Sequence, residues 1–293
     1  MTTFTVLKGH EKDLGGGLLV RRYLPAVSKQ AVGPFIFFDH FGPLDVAPGA
    51  KHDVRPHPHI GLATVTYLFE GAMDHRDSLG SFQRIAPGAI NWMTAGRGIV
   101  HSERTPPDLV SIPHRAHGLQ LWAALPQVHE EDEPSFTHTP QSAIPQVQLD
   151  GATIKVLIGT AFGHTSPVAT YMQTLYLDVA LQAGQELHLA DLPPEVAIYP
   201  ISGELEIDGV ELALHSMALL DVGSAPLIRA SSAAHFVVIG GEPLDGPRFI
   251  WWNFVSSSKQ RLTQAGEDWE AQRMGQVPGE TEFIPLPNVT KRS

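Results

Sequence analysis

Glycine and proline cut this chain into short apolar runs. The 27 glycines and 24 prolines fall between stretches too short for helices, a spacing that suits a β-sandwich or barrel and not alternating strands and helices. Strands are expected over 35–38, 61–69, 89–93, 118–123, 154–158, 175–179, 197–200 and 235–239. Helix is expected only near the end. There Ser256-Ser257-Ser258 can cap a segment whose Leu262, Ala265 and Trp269 fall at i, i+3 and i+7, with Gly266 inside it.

One strand candidate carries chemistry at its entrance. In RPHPHIGLATVTYLFEG, Arg55 to Gly71, His57 and His59 are two apart, so on a strand both imidazoles share one face. An isolated pair of this kind is ordinary edge polarity. A second pair changes the reading: TAGRGIVHSER places His101 and Glu103 at the same spacing after the tight Gly96-Arg97-Gly98 turn. Two same-face pairs from two strands can converge as three imidazoles and one carboxylate, a donor set for a divalent transition metal such as Fe, Mn, Ni, Co, Cu or Zn. With no cysteine in 293 residues, thiolate sites and disulfides are excluded. Four ligands around an ion that takes six leave two places for water, substrate or dioxygen.

The charge balance disfavours a nucleic-acid reader, because 31 acidic against 20 basic residues give a net −11. The N-terminal MTTFTVLKGHEK lacks the apolar core of a signal peptide, and no run reaches the roughly 18 residues of a membrane span. A cytoplasmic, soluble and monomeric protein with no membrane contact is the expectation.

A short internal repeat organises the strands. Val65–Gly71 aligns with Ala197–Gly203, and the same offset carries His57 and His59 onto Leu189 and Asp191, which cannot chelate in the same way. The second half is therefore expected to copy the architecture without the metal. The polar, proline-rich stretch beginning at Gln127 reads as the connection. The expected division is a metal-binding barrel over 1–130, a linker over 131–147, a second barrel over 148–245 and a tail with an amphipathic helix over 246–293.

The segments HPHIGLATVTYLFEGAMDHRDSLG and PGAINWMTAGRGIVHSE resemble the signature of the pirin family. The resemblance implies an all-β bicupin, two tandem jelly-roll barrels with a C-terminal helical tail. It also implies that His57, His59, His101 and Glu103 hold one metal, usually Fe(II). The activity it implies is that of a quercetin 2,3-dioxygenase, a ring-cleaving enzyme acting with dioxygen on a flavonol chelated at that metal, with Glu103 as the base. The alternative it implies is a redox- or metal-sensing interaction protein acting on a transcription factor or metabolic enzyme. His75, in a His-Arg-Asp-Ser stretch the family shares, and Arg97 are the candidate substrate contacts. The chain departs from the common pattern HPHRGFE at Ile60 and Ala63, which is expected to remove polar groups from one barrel wall.

Overall fold

The computed structural model describes residues 4–14, 19–50 and 52–287. Six of the eight strands expected from the sequence lie within observed strands, and the expected 61–69 and 89–93 each begin one residue before theirs, Leu62–Glu70 and Ile90–Thr94; the α-helix among the described residues, Lys259–Glu270, lies where the capped apolar stripe placed it. The architecture is all-β, two jelly-roll cupin barrels, and no helix among the described residues is long and apolar enough to cross a membrane.

The chain divides into two compact units, one of residues 4–12, 19–40 and 139–244, the other of 13–14, 41–138 and 245–287. The first unit is built on a seven-stranded sheet ordered Phe4–Lys8, Ser216–Leu220, Glu195–Ser202, Ala234–Gly241, Thr174–Leu181, Ala152–Ile158 and Gln146–Leu149. The N-terminal strand is thus an edge of this sheet, with Phe4 opposite Leu220, and residues 4–12 and 19–40 group with 139–244. A long-range strand pairing of this kind leaves no local trace in the sequence. The barrel interior is apolar: Ile154, Leu175, Leu177, Val196, Ile198, Phe236 and Val238 all sit in one buried cluster.

The second unit has a four-stranded sheet ordered Val54–His59, Ile99–Arg104, Met73–Asp77 and Phe82–Ile85. Its other sheet runs Ser135–Thr139, Ile90–Thr94, Leu62–Glu70, His114–Ala124 and the second half of Phe35–Val46. The segment expected as a linker is structured. It holds the Ser135–Thr139 edge strand, and just before it the buried Glu130 accepts from the Ser256 and Ser257 hydroxyls and pairs with Arg248.

The repeat has a structural counterpart: both repeat strands end at a glycine with positive φ, Gly71 at 88° and Gly203 at 80°, the left-handed conformation that a side chain resists. The tail docks on the unit that carries His57, His59 and His101. Ser258 caps the helix through the Arg261 amide, and Leu262, Ala265 and Trp269 join Ile60, Val100, Phe254 and Val277 in a buried cluster. Gly266 lies in the buried helix face because a Cβ there would stand 2.9 Å from the Trp251 ring.

Candidate metal centre

The strand Ile99–Arg104 is the middle of three that build the site. On one side it pairs antiparallel with Val54–His59, with His101 opposite His57 and Ile99 opposite His59; a bulge between His101 and Glu103 brings Glu103 opposite Val54. On the other side Asp77 stands opposite His101 and His75 opposite Glu103. Residues directly opposite on paired strands point to one face, so His57, His59, His101, His75 and Asp77 all turn inward. The outward residues of the same strand, Val100, Ser102 and Arg104, hold the tail. Val100 enters the apolar cluster, Ser102 donates to Glu280 at 2.9 Å, and Arg104 pairs with Glu280, Glu282 and Asp53.

The nitrogens of His57, His59 and His101 lie within 4.8 Å of one another, and all three rings are buried. Their Nδ1 atoms are engaged: His57 with the Arg55 carbonyl at 2.9 Å, His59 with the Asn253 carbonyl at 3.2 Å, His101 with His75 Nδ1 at 3.4 Å. The Nε2 atoms of His59 and His101 are buried with no partner. Such orphaned nitrogens, facing one another, are what a bound cation would satisfy. Burial lowers all three rings, His57 to about 4 and the other two well below the ordinary 6.5, with repulsion between the rings adding to the effect. At neutral pH the imidazoles therefore keep their lone pairs.

Glu103 is buried on the same strand, but its carboxylate falls outside the 4.8 Å set. Burial alone pushes it up to about 7. Of the two expected substrate contacts, His75 is buried between Asp77, His101 and the Phe136 ring, on which it stacks at 4.1 Å. Arg97 is not at the site. Its guanidinium is exposed and paired with Glu133, and its carbonyl accepts from Arg261, because the tight turn that carries it faces the surface.

Trp122 is buried with its ring 5.1 Å from His59, which turns that face of the His114–Ala124 strand toward the imidazoles. By alternation and register Gln120, Thr64, Thr66, Met93 and Asn91 line the same face. Thr66 donates to Gln120, Asn91 accepts from His138, and Asn91 Nδ2 is buried without a partner. This wall was missed in the sequence because threonine and asparagine within a strand carry no spacing signal; only the repeat alignment, pairing Thr64 and Thr66 with Val196 and Ile198, marks it. The departures at Ile60 and Ala63 do not strip it. Ile60 packs outward in the tail cluster, and Ala63 lies on the opposite face from Thr64, paired with Ala123 and Thr94.

With this geometry in place the comparisons are informative. The Pirin family profile matches residues 17–123, and the profile for the pirin C-terminal cupin domain matches residues 176–275. A pirin-like protein of Caulobacter vibrioides is 46% identical over 287 residues, 96% of this chain and 98% of the relative. The chain belongs to the pirin family. Pirin of Homo sapiens is 36% identical over 93% of both chains. Among solved structures, a quercetin 2,3-dioxygenase of Acinetobacter baumannii superposes with a TM-score of 0.91 at 34% identity, covering 99% of this chain and 97% of the other. The pirin signature and the imidazole cluster coincide in one barrel.

Proposed function

We propose that this pirin is a metal-dependent dioxygenase of the quercetin 2,3-dioxygenase type, acting on a flavonol or a similar aromatic with vicinal oxygens. The single observation that carries the reading is the buried, neutral trio His57, His59 and His101, with two Nε2 lone pairs unpartnered. Similarity to the Acinetobacter baumannii quercetin 2,3-dioxygenase supports the reaction class.

In this proposal the three imidazoles and Glu103 hold one divalent transition metal, ferrous iron in the first place. When bound, such an ion acidifies a coordinated hydroxyl and provides open positions for small ligands. The chain's own residues do the rest. The Arg55 and Asn253 carbonyls hold the His57 and His59 rings by their Nδ1–H, and this keeps Nε2 free. A Glu103 carboxyl near 7 is poised to accept the substrate hydroxyl proton on a carboxylate oxygen at neutral pH. Asn91 Nδ2 offers a donor, and the Thr66–Gln120 pair a polar strip, for the ring oxygens of a substrate. The test is anaerobic loading with ferrous iron followed by oxygen uptake and carbon monoxide release with quercetin. Loaded iron with neither would overturn the enzyme reading and leave the interaction role.

A further inference from the structure

The hairpin Met73–Asp77 and Phe82–Ile85 carries none of the three clustered imidazoles, yet its inward side chains end on one. Asp77 is fully buried. Its Oδ1 accepts from the Leu79 amide at 2.9 Å and the Ser81 amide at 3.0 Å, and its Oδ2 lies 3.0 Å from His75 Nε2. His75 Nδ1 in turn faces His101 Nδ1 at 3.4 Å, and the stack on Phe136, within 11° of parallel, fixes the ring plane. The far end of this chain of contacts is the unpartnered Nε2 of His101.

The geometry points to Asp77 and His75 as positioning residues that set the tautomer of His101, an inference that rests on the proposed role of His101 as a ligand. A carboxylate can only accept, so His75 carries its proton on Nε2, and in the neutral ring Nδ1 is then an acceptor. His101 Nδ1 must donate to it, because the opposite arrangement sets two lone pairs face to face. The lone pair of His101 is thereby placed on Nε2, where a metal would take it. His57 and His59 receive the same tautomer from main-chain carbonyls, which no substitution removes. Among the three, only His101 depends on side chains.

Asp77→Asn inverts the relay without dismantling the turn. Two turn amides still require an acceptor, so the amide oxygen stays on them and the amide nitrogen faces His75 Nε2 as a donor. The His75 proton then moves to Nδ1 and the His101 proton to Nε2. Long-range proton–nitrogen spectra of the metal-free full-length chain above neutral pH read this directly. Nδ1–H is expected on His101 in the wild type, and Nε2–H in Asp77→Asn, with His57 and His59 unchanged. Competition titration with zinc(II), a redox-silent probe, should show affinity reduced by about 10- to 100-fold. His75→Phe keeps the stack and removes the acceptor, and should weaken zinc binding without forcing Nε2–H. An unchanged His101 tautomer in Asp77→Asn, or a switched tautomer with wild-type affinity, would overturn the inference. A wild type that binds no zinc would overturn the metal reading, while the ring spectra still decide the relay.

Discussion

The two barrels repeat one strand plan and fill it with opposite chemistry. At the repeat offset His57 corresponds to Leu189, Thr64 to Val196 and Thr66 to Ile198; the aliphatic partners all belong to the core cluster of the second cupin sequence. In the unit with the imidazole cluster the equivalent interior holds imidazoles, hydroxyls and amides. Aliphatic burial stabilises by about 25 cal/mol per Å2, whereas a buried polar group without a partner costs about 1–3 kcal/mol. One interior is thus built for stability, and the other gives stability up for a site. The tail compensates on the outside. Ile60 and Val100, neighbours in sequence of His59 and His101, bury with Phe254, Leu262 and Trp269, so the strands that carry the inward imidazoles are held by apolar packing on their outer face.

The sharpest break in the comparison would come from the imidazoles. Replacing His101 by Ala should remove metal binding by more than the about 100-fold that outer partners are worth, while the metal-free fold persists. Elemental analysis after loading, with circular dichroism as the control, checks both halves. Stoichiometric metal in His101→Ala would mean that the polar interior is not a metal site. The second barrel should respond the other way. Phe236→Ala, in its apolar core, is expected to lose about 3–5 kcal/mol in denaturant unfolding and to leave metal affinity of the folded fraction unchanged.

Glu103 links the two costs to pH. Its folded value of about 7 exceeds its ordinary 4.5, so between these values the folded chain keeps a proton that the unfolded chain releases. Stability of the metal-free protein therefore falls as pH rises from about 4.5 to 7 on account of this group, and the cost is complete above 7. His57 acts oppositely: with a folded value near 4 against 6.5, it favours the folded state more as pH rises through that window. Glu103→Gln isolates the first effect. Its stability advantage over the wild type should be absent near pH 4 and approach about 3 kcal/mol above pH 7, and a difference that stays flat with pH would show that the carboxyl is not desolvated.

The strands and the helix were legible because their signals are local: Gly and Pro punctuation, a serine cap and a 3.6-residue stripe at Leu262, Ala265 and Trp269. The i, i+2 spacing that nominated His57, His59, His101 and Glu103 rests on strand alternation, which is itself local, and the structure clusters the three imidazoles. What was not legible depends on partners far along the chain. The Phe4–Lys8 strand pairs with Ser216–Leu220, the Asn253 carbonyl holds His59, and Arg97, a candidate contact for its nearness to His101 in sequence, pairs with Glu133 at the surface. His75 was noticed for the His-Arg-Asp-Ser stretch shared with the family, but its contacts depend on a three-strand register that sets Asp77 opposite His101.

The smallest expected effect tests the comparison most directly, because it moves one barrel toward the other. Thr64 is buried on the wall that faces the imidazoles, and its repeat counterpart is Val196. Valine matches threonine in shape and exchanges a buried hydroxyl for a methyl, with no ligand or turn disturbed. If the interior of the barrel with the imidazole cluster holds polarity at the expense of stability, Thr64→Val should stabilise the metal-free chain by about 1 kcal/mol in urea unfolding. The slope of the transition should be unchanged, since the surface exposed on unfolding is the same. A loss of similar size would show that the hydroxyl is satisfied in the folded barrel, and the contrast between the two interiors would then be one of composition without an energetic consequence.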